Sequence, residues 1–415
     1  MNKETGWICQ ALDELNTTAY KDGTYWRATY STEDVEGVKL IKKWMKENGL
    51  KTSFDEIGNL YGTVNTCVDE PDESGGISSN PGAIIVGSHR DTVKNGGKYD
   101  GALGIITAIA AVSNLVKKNG LPLKKIEVAA LCEEEGSRFL SGYIGSRAMA
   151  GELTENDLLE KDSNGFDLKT TVQNFTGKSI DMEKLKKKRD CEQFIELHIE
   201  QGQVLEKSNK QIGIVTDIVG LLIGTIMIYG EQNHAGTTPM DMRKDALVKA
   251  ARIITLMTDW VTSLQGKAVC TFGSIKIDPG KSNVIPEKIQ MTFDIRSGSE
   301  QILSMAKKKL DQLENCKDMC MQVQYACQDK AAKMDEGGIN SLKKIAENNN
   351  LSYMKLSSGA GHDAQIMSRR VKTNMIFVPS VGGVSHSLKE YTKKEDIEAG
   401  YIMLRDFIEE LAWNK

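Results

Sequence analysis

Residues 83–101, AIIVGSHRDTVKNGGKYDG, decide how this 415-residue chain is read. The apolar run Ala83–Val86 predicts a short buried strand. It delivers Gly87-Ser88-His89-Arg90-Asp91 at its C-terminal end, where open α/β sheets place their ligands. Asn95, Gly96 and Gly97 turn the chain, and Lys98-Tyr99-Asp100-Gly101 leads into a helix that opens at Ala102 and closes at Gly120. One imidazole and two carboxylates therefore share a single rim, and these groups are the usual ligands of zinc and related divalent ions. Taken alone, the segment reads more readily as a buried His89 beside a helix-capping Asp100.

Outward from this stretch the texture repeats. A second apolar run, Ile126–Leu131, ends in Cys132-Glu133-Glu134-Glu135-Gly136, and FIELHIEQG (194–202) carries His198, Glu200 and Gln201 at its end. Strand and helix alternate, which predicts an α/β fold with a mostly parallel sheet covered on both faces. Residues 1–60 read as helical at both ends, with VEGVKLIKKWMKENGL closing at Gly49. Residues 66–82, TCVDEPDESGGISSNPG, read as a polar surface excursion, and 151–190 as a lysine-rich mixed segment. From about Gly213 the pattern becomes strand, long amphipathic helix, two strands, helix, strand. That order predicts an α+β, ferredoxin-like domain at 213–328, inserted between 1–212 and 329–415.

The totals exclude several functions. A net charge of −4 gives no basis for nucleic acid or an anionic membrane as partner. Eight cysteines without a C-x-x-C pair, and no secretory signal pattern at Met-Asn-Lys-Glu, predict reduced thiols in a cytoplasmic protein. The longest apolar stretches are too short or too interrupted to span a bilayer.

Histidine is scarce. His89, His198, His234, His362 and His386 are all there are, each flanked by glycine, acid, serine or asparagine, and several follow apolar strands. This clustering favours a metal or catalytic site over scattered core histidines. The Glu133–Glu135 run lies at an equivalent strand end, so its acids can divide two tasks, one as ligand and a neighbour as general base. Two metals sharing a carboxylate need about five protein ligands. His89, Asp100, Glu135, His198 and His386 supply that number.

The blocks GSHRDTVKNGGKYDGALG, EEEGSRF, FIELHIEQG, NHAGTTPMDMRKDA, NVIPEKIQMTFDIRS, GAGHDAQ and FVPSVGGVSHSLKEYT occur in this order between residues 87 and 392. In that order they resemble the amidase/hydantoinase/carbamoylase branch of the M20 metallopeptidase family. The resemblance implies an α/β/α metal-binding catalytic domain and an inserted lid and dimerisation domain. His89 and His198 would hold one divalent ion, Glu135 and His386 the other, with Asp100 bridging and Glu134 as general base. Mn2+ or Zn2+ is implied, and Co2+ or Ni2+ also suits such ligands. Asp91 would orient His89, and the Asp100–Gly101 peptide would be a cis bond. Gln201, His234, Asn283, Arg296, Gly361 and His362 match substrate-binding positions. Arg296 would be a bidentate carboxylate clamp, and His234 would also assist catalysis.

The implied reaction is hydrolysis of a ureido C–N bond on a small carboxylate, allantoate first, with N-carbamoyl-L-amino acids or N-carbamoyl-β-alanine as alternatives. The implied assembly is a homodimer. A peptidase or a non-catalytic metal-binding protein of the same fold stands as the contrasting reading. Three departures from the family pattern stand out. Arg90 replaces an apolar residue, which predicts altered charge at the site's mouth; Leu388 replaces a proline; Leu221-Leu222 replace polar or basic residues.

Overall fold

A computed structural model describes residues 2–66 and 82–414. The 66–82 excursion thus lies, for 67–81, outside the described residues. The chain divides into two compact units, one formed by Met1–Thr216 with Lys333–Lys415, the other by Asp217–Ala332.

The first unit is built on a nine-stranded sheet. Its centre reads Lys372–Val378, Cys191–Ile199, Ala83–His89, Ile126–Leu131, and every pairing among these four is parallel. Register aligns their C-terminal ends: Phe377 faces His198, and His89 faces Leu131. Every residue of Ala83–His89 and Ile126–Leu131 is buried, which requires cover on both faces. The helix Ala102–Asn119 supplies much of it, packing on the central strands with its apolar residues spread round the whole circumference. It stops at Gly120, whose φ is +77°, with Lys117 and Lys118 in its last turn complementing the helix dipole. Lys394–Ala412 packs on that helix and on Lys372–Val378.

The sequence-level expectations need two adjustments here. Residues beyond Gly49 do not return to helix, because Lys51–Phe54 and Leu60–Val64 form antiparallel strands that extend the sheet from Ile126–Leu131. The strand Ile212–Ile218 belongs to the first sheet, where Ile214 pairs with Ile376, so the chain leaves that unit at 216 rather than 213. An apolar run that continues through the crossing point hides it from composition. The chain returns beside its point of departure: the Met334 amide donates to the Thr216 carbonyl at 3.0 Å.

The second unit holds a five-stranded antiparallel sheet. Gly220–Tyr229 lies between Lys288–Ser297 and Met321–Asp329. The helices Ala246–Ser263 and Glu300–Glu314 pack on the sheet and close a core around Ile226, Ile253, Met257, Phe293 and Leu310. The run AVCTFGSIKID forms two short strands, Val269–Thr271 and Ile275–Asp278, both paired to Lys288–Ser297. Gly273 and Ser274 interrupt it. Among the described residues the one cis peptide is Asp278–Pro279. Asp100–Gly101 is trans, against expectation, and Gly101 makes its turn with φ +63° and ψ −52°.

Candidate metal centre

Parallel register brings His89, His198 and the glutamate run to one end of the sheet. His89 is the last residue of its strand, His198 is the penultimate residue of the next, and Glu133–Glu135 follow Ile126–Leu131. Asp100 arrives on the loop before the Ala102 helix, and His386 on the loop after Lys372–Val378. Non-glycine residues in left-handed backbone, an uncommon and costly conformation, mark this rim: Glu133 (φ 54°), Gln201 (φ 59°) and His386 (φ 50°).

The two strand-borne imidazoles are set by their own backbone. His89 Nδ1 lies 3.0 Å from the Asp91 carbonyl, and His198 Nδ1 lies 3.0 Å from the Ile199 carbonyl. A carbonyl only accepts, so each Nδ1 carries the hydrogen and each neutral Nε2 presents a lone pair. The Gly101 amide donates to His198 Nε2 at 3.3 Å, which agrees with that tautomer. Both lone pairs face Asp100 Oδ1, at 3.6 Å from His89 and 3.1 Å from His198, and the two Nε2 atoms are 3.4 Å apart. Three acceptors converging in a buried space require a cation or protons between them. Asp100 Oδ1 is buried without a hydrogen-bond partner, as is Glu135 Oε1.

On the other side of Asp100, His386 Nε2 lies 3.2 Å from Oδ2 and 3.3 Å from Glu135 Oε1. Two triads, His89–Asp100–His198 and Asp100–Glu135–His386, thus share one carboxylate, and their donor sets suit divalent ions. Electrostatics state the same demand in terms of protons. Burial pushes the Asp100 carboxyl up, but the three imidazoles outweigh it and hold it well below the usual carboxylate range. Hydrogen bonding to Asp100, then to Glu135, lifts His386 to about 10.

Gly101 is required here for space as well as φ. A Cβ on it would lie 2.3 Å from the His89 carbonyl and 2.5 Å from the His89 ring. Gly101→Ala is expected to cost about 1–3 kcal/mol of stability and to displace His89. Denaturant titration together with metal content checks this, and a variant with unchanged ion uptake would contradict it.

The three glutamates separate clearly. Glu133 turns away: its Oε1 accepts from the amides of Arg138 (2.6 Å) and Phe139 (2.7 Å), closing the following turn. Glu135 joins the second triad. Glu134 is buried and lies within reach of His89 and Glu135. Burial raises its carboxyl well above the ordinary range; His89 opposes this, and Glu135, Asp363 and Asp91 add to it.

Several expected roles change. The Asp91 carboxylate does not orient His89, since Oδ1 is 3.9 Å from His89 Nδ1 while the Asp91 carbonyl makes the close contact. The carboxylate instead accepts from the amides of Glu134 (3.1 Å) and Glu135 (3.3 Å), pinning the glutamate loop. Arg90 is nowhere near a mouth. Strand alternation sends it to the opposite side from His89 and Asp91, where it is fully buried in a bidentate pair with Asp34 (2.8 and 3.1 Å).

Among the expected substrate contacts in the first unit, Gln201 donates to Asp100 Oδ2 (3.2 Å) and Ser385 Oγ (3.3 Å). His362 is buried, edge-on to His198 with ring centroids 4.5 Å apart, and its Nε2 lies 3.0 Å from Ser358 Oγ. Burial, then the neighbouring His198, keeps it well below the ordinary histidine range. Gly361 leaves room for the Tyr143 hydroxyl, which would sit 2.0 Å from a Cβ there.

The remaining three belong to the second unit. His234 is exposed and pairs with Val284 in a two-residue ribbon; its Nδ1 accepts from the amides of Gly236 and Thr237, leaving Nε2–H as a donor. Asn283 is exposed, and its carbonyl accepts from Ala235. Arg296 already holds a carboxylate, that of Asp294, through Nε (3.0 Å) and Nη2 (2.8 Å).

Sequence reasoning missed Glu390, Ser385 and Glu196. Glu390 and Ser385 lie within the SHSLKEYT block; Glu196 stands two residues before His198 on the same strand face. Glu196 accepts from Ser88 Oγ (2.7 Å) and the Ala364 amide (2.9 Å), tying the strand to the GAGHDA loop. An acid inside the apolar run FIELHI was the available signal.

The family model for peptidase family M20/M25/M40 matches residues 85–410, a span that contains every residue of the two triads. The chain belongs to this family. It is 38% identical over 403 residues to the allantoate amidohydrolase of Bacillus subtilis (strain 168), covering 95% of this chain and 94% of that relative. It is 36% identical over 408 residues to the N-carbamoyl-L-amino-acid amidohydrolase of Pseudomonas sp. (strain NS671), covering 96% and 95%. Among solved structures, an amidase of the hydantoinase/carbamoylase family from Burkholderia multivorans superposes with a TM-score of 0.86 at 28% identity, covering 97% of each chain. For this M20 member, no described helix is long and apolar enough to cross a membrane.

Proposed function

We propose that this chain is a two-metal amidohydrolase that cleaves the ureido C–N bond of a small carboxylate, with allantoate as the first substrate. The observation that carries the reading is the pair of ligand triads sharing Asp100, with a buried carboxylate, Glu134, beside them and outside both. Similarity to allantoate amidohydrolases supports the substrate. His89, Asp100 and His198 would hold one divalent ion, and Asp100, Glu135 and His386 the other, with Mn2+ or Zn2+ suited to both. Such ions supply Lewis acidity toward water and a carbonyl oxygen.

The chain's own groups carry the proton. Glu134 accepts it from the attacking water and returns it to the departing nitrogen. Water adds to the ureido carbonyl, the C–N bond breaks, ammonia leaves, and the carbamate loses carbon dioxide. His234, Asn283 and Arg296 take the substrate-contacting roles that the resemblance implies, with His234 Nε2–H as an oxyanion donor. The 36% identity to a carbamoylase supports N-carbamoyl-L-amino acids as the second substrate class.

Protein stripped by a chelator and reloaded with Mn2+ or Zn2+ tests this. Ammonia release is measured on allantoate, N-carbamoyl-L-amino acids and N-carbamoyl-β-alanine, and release of free amino acids on dipeptides. Allantoate turnover that vanishes on stripping and returns on reloading is expected. Cleavage of dipeptides alone would make it a peptidase, and no turnover on any of them would sink the enzyme reading.

A further inference from the structure

Asp100 and His386 both stand on loops, unlike the strand-borne His89 and His198, so something must hold them in register. Glu390 occupies the space between those loops. Its Oε1 accepts hydrogen bonds from the amides of Tyr99 (2.9 Å) and Asp100 (3.1 Å), and its Oε2 accepts from Ser385 Oγ (2.9 Å). Ser385 Oγ accepts from Gln201 Nε2, which donates again to Asp100 Oδ2. The four residues close a ring that grips Asp100 by its backbone and its side chain and reaches the loop one residue before His386.

The cradle for Glu390 is built into the opening stretch. A Cβ on Gly97 would lie 2.0 Å from the Glu390 carboxyl carbon, so the acid packs against bare backbone there. Tyr25 Oη fastens the same turn by donating to the Gly97 carbonyl at 2.9 Å. Glu390 is 6% exposed, and a carboxylate buried to that degree persists only where its acceptors are used.

We propose that Glu390 is a positioning residue whose carboxylate clamps the Asp100 loop to the Ser385–His386 loop and so sets the affinity of the Asp100–Glu135–His386 triad for its ion. The inference rests on the two-triad reading above. The first triad depends on the clamp less, because two of its three ligands are fixed by nearby backbone carbonyls. In the second, only Glu135 is held by another device, the Asp91 carboxylate.

The test is titration of the metal-free protein with Mn2+ alone, followed by calorimetry, with circular dichroism as the check on folding. The wild-type chain is expected to take up two ions. Glu390→Leu should keep one near its original affinity and weaken the other by about 10–100-fold, the usual effect of losing a partner behind a metal ligand. Glu390→Gln retains an oxygen for the two amides and should recover part of the loss. Ser385→Ala, which leaves the buried acid in place, should weaken the same ion by a smaller factor. Equal loss of both ions in Glu390→Leu, or unchanged affinities in Ser385→Ala, would overturn the clamp. A wild-type chain that takes up fewer than two ions would overturn the two-triad reading itself.

Discussion

Glu134→Gln is expected to lower kcat by about 10²–10⁴-fold, the usual contribution of a positioned general base, while both ions stay bound. The separation follows from geometry. Glu134 lies outside the two triads that share Asp100, so its amide replacement removes the proton acceptor without removing a shared ligand. Its amide nitrogen is still held by the Asp91 carboxylate, so the loop should keep its shape. Burial, reinforced by Glu135, Asp363 and Asp91 against the opposing His89, lifts the Glu134 carboxyl above the ordinary range. Because the base acts ionised, activity should climb with pH along the acid limb, and that limb should disappear in the variant. Glu135→Gln makes the contrast, since it should cost ion uptake as well as rate. A Glu134→Gln protein that keeps a tenth or more of its activity, or sheds its ions, would remove Glu134 from the role assigned to it.

The second large effect falls on stability. Asp34→Ala should destabilise the first unit by about 3–5 kcal/mol, because it strands Arg90 as an uncompensated buried charge. Both partners have fully buried side chains, and Arg90 Nη1 also donates to the carbonyls of Gly58 (2.9 Å) and Ala130 (3.3 Å). Asp34 also accepts from the Tyr30 amide at 2.8 Å, so the deletion orphans a backbone donor too. Replacing both partners together, as Asp34→Leu with Arg90→Met, should recover much of the loss, since an apolar pair of similar volume often matches a buried ion pair. Urea unfolding of the two variants beside the wild type decides it. A single-variant loss below about 1 kcal/mol, the level of an exposed pair, would show that solvent reaches the pair.

Much of this arrangement was legible because parallel sheets concentrate chemistry at strand ends. The runs before His89 and Glu133 and through His198 are apolar enough to mark buried strands, and each stops where polar residues begin. Five candidate ligands far apart along the chain could be grouped on that ground, with the family resemblance dividing them between two ions. What composition does not carry is direction. Arg90 sits between His89 and Asp91 in sequence yet faces the other side of the sheet, so a charge expected at the site's mouth is part of the core. Asp91 shows the same limit at atomic scale, because its backbone, and not its carboxylate, makes the close contact to His89. Glu390 was harder still. Nothing in SHSLKEYT separates a surface acid from one lodged against Gly97, nearly 300 positions earlier, because the close approach exists only after folding. Ile212–Ile218 marks the limit for boundaries: an apolar strand reads alike on either side of a domain crossing.

The hydrogen bond between Met334 and Thr216 has a consequence for how such a molecule can change over time. To the first unit, everything from 217 to 332 amounts to one long loop with adjoining ends, and the entropic cost of such a loop rises only with the logarithm of its length. The excursion can be exchanged, shortened or reshaped by descent without disturbing the strands that carry His89 and His198. A lineage can therefore hold its hydrolytic chemistry constant while replacing the inserted unit at a single doorway in the chain.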